Sequence, residues 1–348
     1  MTPDKPLDDP RELSPAKAAW NHLIAPYQRP AAWRGLWQVA NTLLPYAALW
    51  VLMAWSLTVS WWLTFGLAVL AAGFLVRIFI IFHDCGHGSF LPWKRANDAL
   101  GFLTGVLTFT PYHHWRWEHA LHHASAGNLD RRGVGDVWTL TVEEYRSASR
   151  WKRLAYRLAR HPLVLFGLAP LALFLVVQRF PSPKAGRRER LSVHATNLAL
   201  VGMGGGLSLL LGWKACLVLH LVVLALAGLA GVWLFYVQHQ FEGAYWARRG
   251  VWDYARVALE GSSFYRLPRV LQWFSGNIGF HHVHHLKPGI PNYHLEAAHR
   301  AVPLFQSVPV MTLRSSLKSL RFHLWDEEQQ RLVSFAALRQ PRRARATP

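Results

Sequence analysis

The sequence predicts an all-α integral membrane protein: two transmembrane helical hairpins, four spans in all, carrying a cytosolic helical cap with a histidine-rich di-metal site. Three observations predict it. Four runs are long and apolar enough to cross a bilayer, which takes about 20 such residues. Charged residues are 16% of the 348 positions, whereas soluble domains carry about 25%. The chain also holds 19 histidines, and most of those near the span ends fall into three short clusters.

Taken in order, residues 1–36 form a lead-in that starts "MTPDKPLDDPRELSPAKAAW". It is acidic and proline-rich with no early apolar stretch, which fits neither a secretory signal nor a transit peptide. Residues 40–59 and 61–82 read as the first hairpin, and 192–211 and 215–238 as the second. The "GMGGG" glycines inside the third span are expected to permit close helix packing. Residues 99–111 are too short to cross. Residues 163–180 are nearly long enough but carry Pro170, and the basic loop "PSPKAGRRER" follows them. A fifth span would put that loop outside, against the positive-inside tendency, so 163–180 is expected to be interfacial or re-entrant. The membrane domain then covers 37–310, and 311–348 is a basic cytosolic tail.

Lys and Arg number 38 against 19 Asp and Glu, a net charge of +19. Few charges, mostly basic and beside long apolar runs, suit loops facing an anionic leaflet and not a nucleic-acid groove. The short joints around Ser60 and Gly212–Lys214 are nearly uncharged, so both termini and the large polar regions are placed in the cytosol. Two distant cysteines, Cys85 and Cys216, build neither a disulfide framework nor a Cys-type zinc site.

The histidines carry the chemistry. His83 and His87 stand four apart in "HDCGH"; His119, His122 and His123 form "HALHH"; His281, His284 and His285 form "HHVHH". On a helix, positions i, i+3 and i+4 share one face, so each triplet is expected to aim its imidazoles at one point. All three clusters are placed just beyond the second and fourth spans, and His239 lies at the foot of the fourth. Eight or nine imidazoles exceed the four ligands of a zinc site, so two metals are expected. Ligand type admits iron, copper, zinc or nickel; iron is favoured because nitrogen-rich sites with open positions activate oxygen. His113, His114 and His282 are assigned supporting or surface roles, and the remaining histidines structural ones.

The boxes "HDCGH", "HALHH" and "HHVHH" resemble those of the membrane fatty acid desaturase family. The longer strings "HDCGHGSF", "EHALHHASAGNLDRRGVGDVWTLTVEEY" and "NIGFHHVHHLKPGIPNYHL" resemble its omega-6, delta-12-type branch. The likeness runs from about residue 35 to about residue 310. It implies a non-haem di-iron centre of two Fe ions held by His83, His87, His119, His122, His123, His281, His284 and His285, with His239 of "YVQHQFE" as a ninth ligand. His281 stands where front-end desaturases usually carry glutamine. Residues 161–164 read "HPLV", not the haem-binding "HPGG". Asp84 departs from the glutamate that plant members of the branch often carry.

The implied reaction removes two hydrogens from unactivated methylenes of a membrane-lipid acyl chain. It consumes O2 and two external electrons and leaves a cis double bond and water. No dinucleotide fingerprint, haem motif or iron–sulfur cysteine set occurs, so electrons are expected from a ferredoxin or a small cytochrome with its reductase. Asp84, Glu118, Asp130 and Asp136 are candidates to hydrogen-bond the ligands from behind, and Asn277 to hold a water beside the metal. Trp115, Trp117, Trp138, Trp246, Trp252 and Trp273 read as belt residues, a minority lining an acyl tunnel. The rival readings are a di-iron hydroxylase, ketolase or conjugase acting on a lipid or carotenoid, a zinc-dependent membrane hydrolase, and a metal transporter.

Overall fold

The computed structural model describes residues 20–133 and 135–339, so most of the lead-in (1–19) and the end of the basic tail (340–348) lie outside the described residues. Four long helices follow from the four apolar runs: α1 (Ala32–Ser56), α2 (Trp61–His87), α8 (Arg187–Leu211) and α9 (Trp213–His239). Each is long and apolar enough to cross a membrane. α2 outruns the predicted span by five residues, so "HDCGH" forms its last turns and does not lie beyond it. Gly88 stops it at φ +70°, a conformation a side chain would strain, and its N–H closes onto the Cys85 carbonyl at 2.9 Å.

Between the hairpins the chain makes two inward excursions. α3 (Lys94–Leu107) runs back along α2, turns at residues 108–111, and returns as α4 (Tyr112–Ser125). The turn lies against Phe82, well inside the end of α2, because Gly105 lets the Thr110 carbonyl and the Phe82 ring approach. The second excursion follows α5 (Val142–Ser147) and α6 (Arg150–Ala159). It is a π-helical turn (Leu163–Leu168), α7 (Ala169–Leu175) and a 3-10 turn (Val177–Arg179), bent 62° from α6. It enters beside Trp233 and Tyr236, reaches Gly228 at Pro170, and by Arg188 is back at Asp98 near α4. A 62° bend suits either a broken span or the re-entrant course expected for 163–180. The two excursions meet where Arg179 donates to the Phe109 carbonyl and, at 2.7 Å, to Asn197 Oδ1. Backbone that turns inside an apolar bundle needs such internal partners.

The bundle core is Tyr46, Leu49 and Met53 of α1, Ala68 to Ile78 of α2, and Leu219 to Ala227 of α9. Within it Arg77 is buried, donates to Thr42 Oγ1 at 3.1 Å and to the Trp273 carbonyl, and stacks 3.9 Å from the Trp273 ring. That side chain ties the segment carrying α11 (Arg269–Phe274) to the spans. The cap is completed by α10 (Tyr254–Glu260), α12 (His281–Leu286), α13 (Asn292–Ala301) and α14 (Leu313–Ser316).

The all-α expectation needs correction. Strand β2 (Phe264–Arg266) pairs in parallel with β3 (Val310–Thr312). β4 (Leu324–Asp326) pairs in parallel with β1 (Leu140–Thr141) and antiparallel with β5 (Arg331–Val333). The boundary drawn at 310/311 therefore falls inside β3. Residues 311–339 are folded onto the cap, with Trp325 buried near Trp246, because their apolar side chains find partners there. The glycines of "GMGGG" also depart from expectation: a Cβ at Gly202, Gly204, Gly205 or Gly206 meets nothing within 4 Å.

Candidate metal centre

α2, α4, α9 and α12 deliver all nine candidate histidines to one place. His83, His87, His119, His123 and His284 form one group, and His122, His239 and His285 a second; within each, one ligand atom per residue lies within 4.8 Å of the others. His281 joins the second, its Nε2 2.9 Å from His239 Nε2. The expectation that each triplet serves one point is thus overturned. At 3.6 residues per turn, i+3 and i+4 diverge by about 100°. His119 and His123 accordingly turn to the first group and His122 to the second, while His284 goes to the first and His281 and His285 to the second. His123 and His285 stack at 4.3 Å where the groups adjoin.

The contacts fit metals. Nε2 of His123 lies 3.1 Å from that of His119 and 3.0 Å from that of His284. Two nitrogens about 2.1 Å from one ion at right angles are about 3.0 Å apart. His87 Nε2, His122 Nε2 and His285 Nε2 are buried without a protein partner, and each such loss costs about 1–3 kcal/mol. A bound ion removes that cost. Burial first, and then mutual repulsion, holds His119, His123, His281, His284 and His285 well below the ordinary histidine pKa. They are neutral at pH 7, the form that ligates.

Comparison with known proteins gives the centre a context. The family model described as fatty acid desaturase matches residues 59–307. A fatty acid desaturase of Bacillus subtilis (strain 168) is 50% identical over 316 residues, 91% of this chain and 90% of that one. A probable fatty acid desaturase of Sorghum bicolor is 31% identical over 295 residues, covering 77% and 70%. An sn-1 acyl-lipid omega-3 desaturase (ferredoxin) of Nostoc sp. (strain 36) is 30% identical over 259 residues, covering 69% and 68%. The chain belongs to the fatty acid desaturase family.

A fatty acid desaturase is an oxidoreductase, and the family implies non-haem iron for this histidine cluster. In this desaturase two of the acids picked from sequence stand behind ligands. Asp84 Oδ1 accepts from His83 Nδ1 at 2.9 Å, while its Oδ2 accepts from the Asn292 backbone N–H at 2.6 Å and side-chain amide at 2.8 Å. Asp136 Oδ1 lies 2.7 Å from His122 Nδ1, brought there by Gly135 at φ +68°, a residue that also abuts His122 Cβ.

The other three candidates stand elsewhere. Glu118 faces His114 Nδ1 at 3.5 Å, outside both groups. Asp130 is exposed and held by Arg248 and by the Arg249 N–H, because the loop after α4 carries it to the surface. Asn277, at φ +59°, accepts from Gln272 and donates to the Asn292 carbonyl, so its amide serves the turn.

Several supports escaped sequence reasoning. The Gly261 carbonyl accepts from His239 Nδ1 at 3.3 Å, leaving Nε2 for the centre. Asn292 has no local signature, though it sits in the quoted "PGIPNYHL". Trp115 is no belt residue: it stacks on His119 with centroids 4.3 Å apart. Trp246 is buried, and Trp252 donates to the Ala126 carbonyl that ends α4. His282, assigned a supporting or surface role from sequence, is buried and pairs with His299 at 3.0 Å.

Proposed function

We propose that this desaturase inserts a cis double bond, of omega-6, delta-12 type, into the acyl chain of a membrane glycerolipid, with two iron ions on the nine histidines and electrons from an external ferredoxin-like carrier. The observation that carries it is the sorting of three boxes and His239 into two converging imidazole groups with buried, unpartnered nitrogens. Iron bound there supplies the oxidising power needed to take hydrogen from unactivated methylenes, with O2, two electrons and two protons consumed for each double bond and two waters released.

The residues do the rest by holding. Asp84, Asp136 and the Gly261 carbonyl fix which nitrogen of His83, His122 and His239 faces inward, as acceptors behind ligating imidazoles do. Trp115 walls His83 and His119 with its ring, and Phe82 packs against Trp115, keeping bulk water from that side. The four long helices are read as spans with the centre and both termini on the cytosolic side, where the substrate reaches the centre from the bilayer and the carrier from water. The ferredoxin and sn-1 acyl-lipid wording of the Nostoc relative supports the carrier and the lipid-linked substrate.

The omega-6 position rests on the likeness of the box strings. Two cyanobacterial relatives carry omega-3 names, which favours omega-3 insertion as the second reading. Gas chromatography–mass spectrometry of lipids from a host expressing the chain, with His122→Ala as control, tests both. A new dienoic acid at omega-6, absent from the control, is the expected result; a new omega-3 bond selects the second reading. A hydroxylated or oxo product, or no product with protein in the membrane and reductant supplied, overturns desaturation.

A further inference from the structure

α6 stands apart from every other helix of the cap. Its sequence, RWKRLAYRLA, has four cations and no acid, and Arg160 follows as its cap. One narrow face is fastened to the protein. The Tyr156 hydroxyl donates to the His323 carbonyl and accepts from the Leu140 N–H at 3.1 Å. Arg160, at the helix end, donates to the Phe322 carbonyl at 2.7 Å and to Gln240 Oε1 at 3.0 Å. The remainder is bare. At 3.6 residues per turn, Trp151, Leu154, Ala155 and Leu158 fill one arc about 100° wide, roughly opposite the fastened face. Trp151 is 67% exposed, Leu154 47% and Leu158 54%. Arg150 and Arg157 border one edge of that arc and Lys152 the other, with Arg153 farther round beside the fastened face, all exposed. None of these four has an ion-pair partner among the described residues; Arg157 donates to the Tyr145 hydroxyl.

The same pattern continues next door. The chain before Phe322 exposes Leu313 and Leu317 alongside Arg314, Lys318 and Arg321. After α6 the chain plunges directly into the apolar excursion that packs on α9. An apolar stripe edged on both sides by cations matches a layered surface, hydrocarbon below and negative charge above. A protein partner would need its own acids on both flanks of an apolar ridge; the leaflet beside the spans presents that layering everywhere.

We propose that α6 lies in the headgroup layer of an anionic leaflet, with Trp151, Leu154 and Leu158 sunk among acyl chains and Arg150, Lys152 and Arg157 on phospholipid phosphates. This rests on the reading of the four long helices as spans. It adds a lipid site that also bears on the centre, since Arg160 of the same helix holds Gln240, the neighbour of His239.

The test uses the full chain in lipid nanodiscs of phosphatidylcholine, with and without phosphatidylglycerol. Spin labels are placed singly at Leu154→Cys, Lys152→Cys and, as control on the lipid-exposed side of α8, Val201→Cys; both native cysteines are buried. The label at 154 is expected to collide with O2 and to be shielded from a water-soluble nickel chelate, with the reverse at 152. Phosphatidylglycerol should deepen the 154 label. The triple variant Arg150→Gln, Lys152→Gln, Arg157→Gln should abolish that deepening. A 154 label open to the chelate while 201 is in lipid overturns the proposal and leaves the spans standing. A 201 label in water sinks the spanning reading and this proposal together. A 154 label in lipid but indifferent to phosphatidylglycerol, in the parent and the triple variant alike, overturns the anionic part.

Discussion

α1 and α8 are equally apolar, and so are α2 and α9, yet the two hairpins live in different surroundings. In the first, 28% of α1's apolar window and 61% of α2's are buried inside the protein; in the second, 11% for α8 and 33% for α9. Apolarity thus tells that a helix avoids water, not whether lipid or protein surrounds it. What separates them is the load each carries. α2 presents Ala68, Ala71 and Ala72 fully covered, Gly73 against the Phe274 ring, and buried Arg77, His83 and Asp84. α8 carries four glycines facing open space. Small residues mark close packing on one helix and nothing comparable on the other.

If function is concentrated around α2, substitutions there should cost most. His284→Ala, which removes a nitrogen 3.0 Å from His123, should abolish double-bond formation and lower bound metal, read by product analysis and metal assay, without loss from the membrane fraction. Asp84→Asn should cost about 10–100-fold in metal affinity or activity, because it weakens the support of His83 and the clamp on Asn292. Asp130→Asn, at an exposed ion pair, should change neither by more than a small factor.

Acid comes next. His119, His123, His281, His284 and His285 have pKa values depressed in the fold, so the unfolded chain takes up their protons first. Their contribution is therefore complete above the ordinary value of about 6.5 and declines as pH falls below it. Thermal unfolding of metal-free protein should show a midpoint falling below that pH, and metal release should follow the same direction.

Smaller effects distinguish the packing. Gly101→Ala places a Cβ 2.2 Å from the Tyr112 ring and should destabilise by about 1–3 kcal/mol. Gly205→Ala meets open space and should be neutral or stabilise by about 0.5–1 kcal/mol through helix propensity. Unfolding midpoints in one detergent decide both. Equal losses at Gly101 and Gly205 would mean that α8 is packed against something after all.

Much of this was legible because it is local. Four apolar runs, a proline-interrupted fifth and the box spacings gave the four long helices, a broken helical stretch at 163–180 and all nine histidines that converge. The sorting into two groups was not read, although the 100° step between i+3 and i+4 already contained it. Long-range supports left no trace: Asn292 reaches Asp84 across 208 residues, and Gly261 reaches His239 by a backbone carbonyl that any residue offers. Strands β1 to β5 span two or three residues each, too short for an alternation to show against a basic background.

The meeting of Arg179 with the Phe109 carbonyl has a consequence for how the chain is made. These partners are 70 residues apart. At synthesis rates of about 5–20 residues per second, the first turn exists for roughly 4–14 s before its arginine emerges. A bare carbonyl inside hydrocarbon costs several kcal/mol, so, on the reading of the four long helices as spans, the nascent α3–α4 segment would wait at the surface and enter together with the later one. Assembly of this enzyme is on that reading not strictly sequential: the ribosome delivers the pieces in order, and two of them settle as a pair.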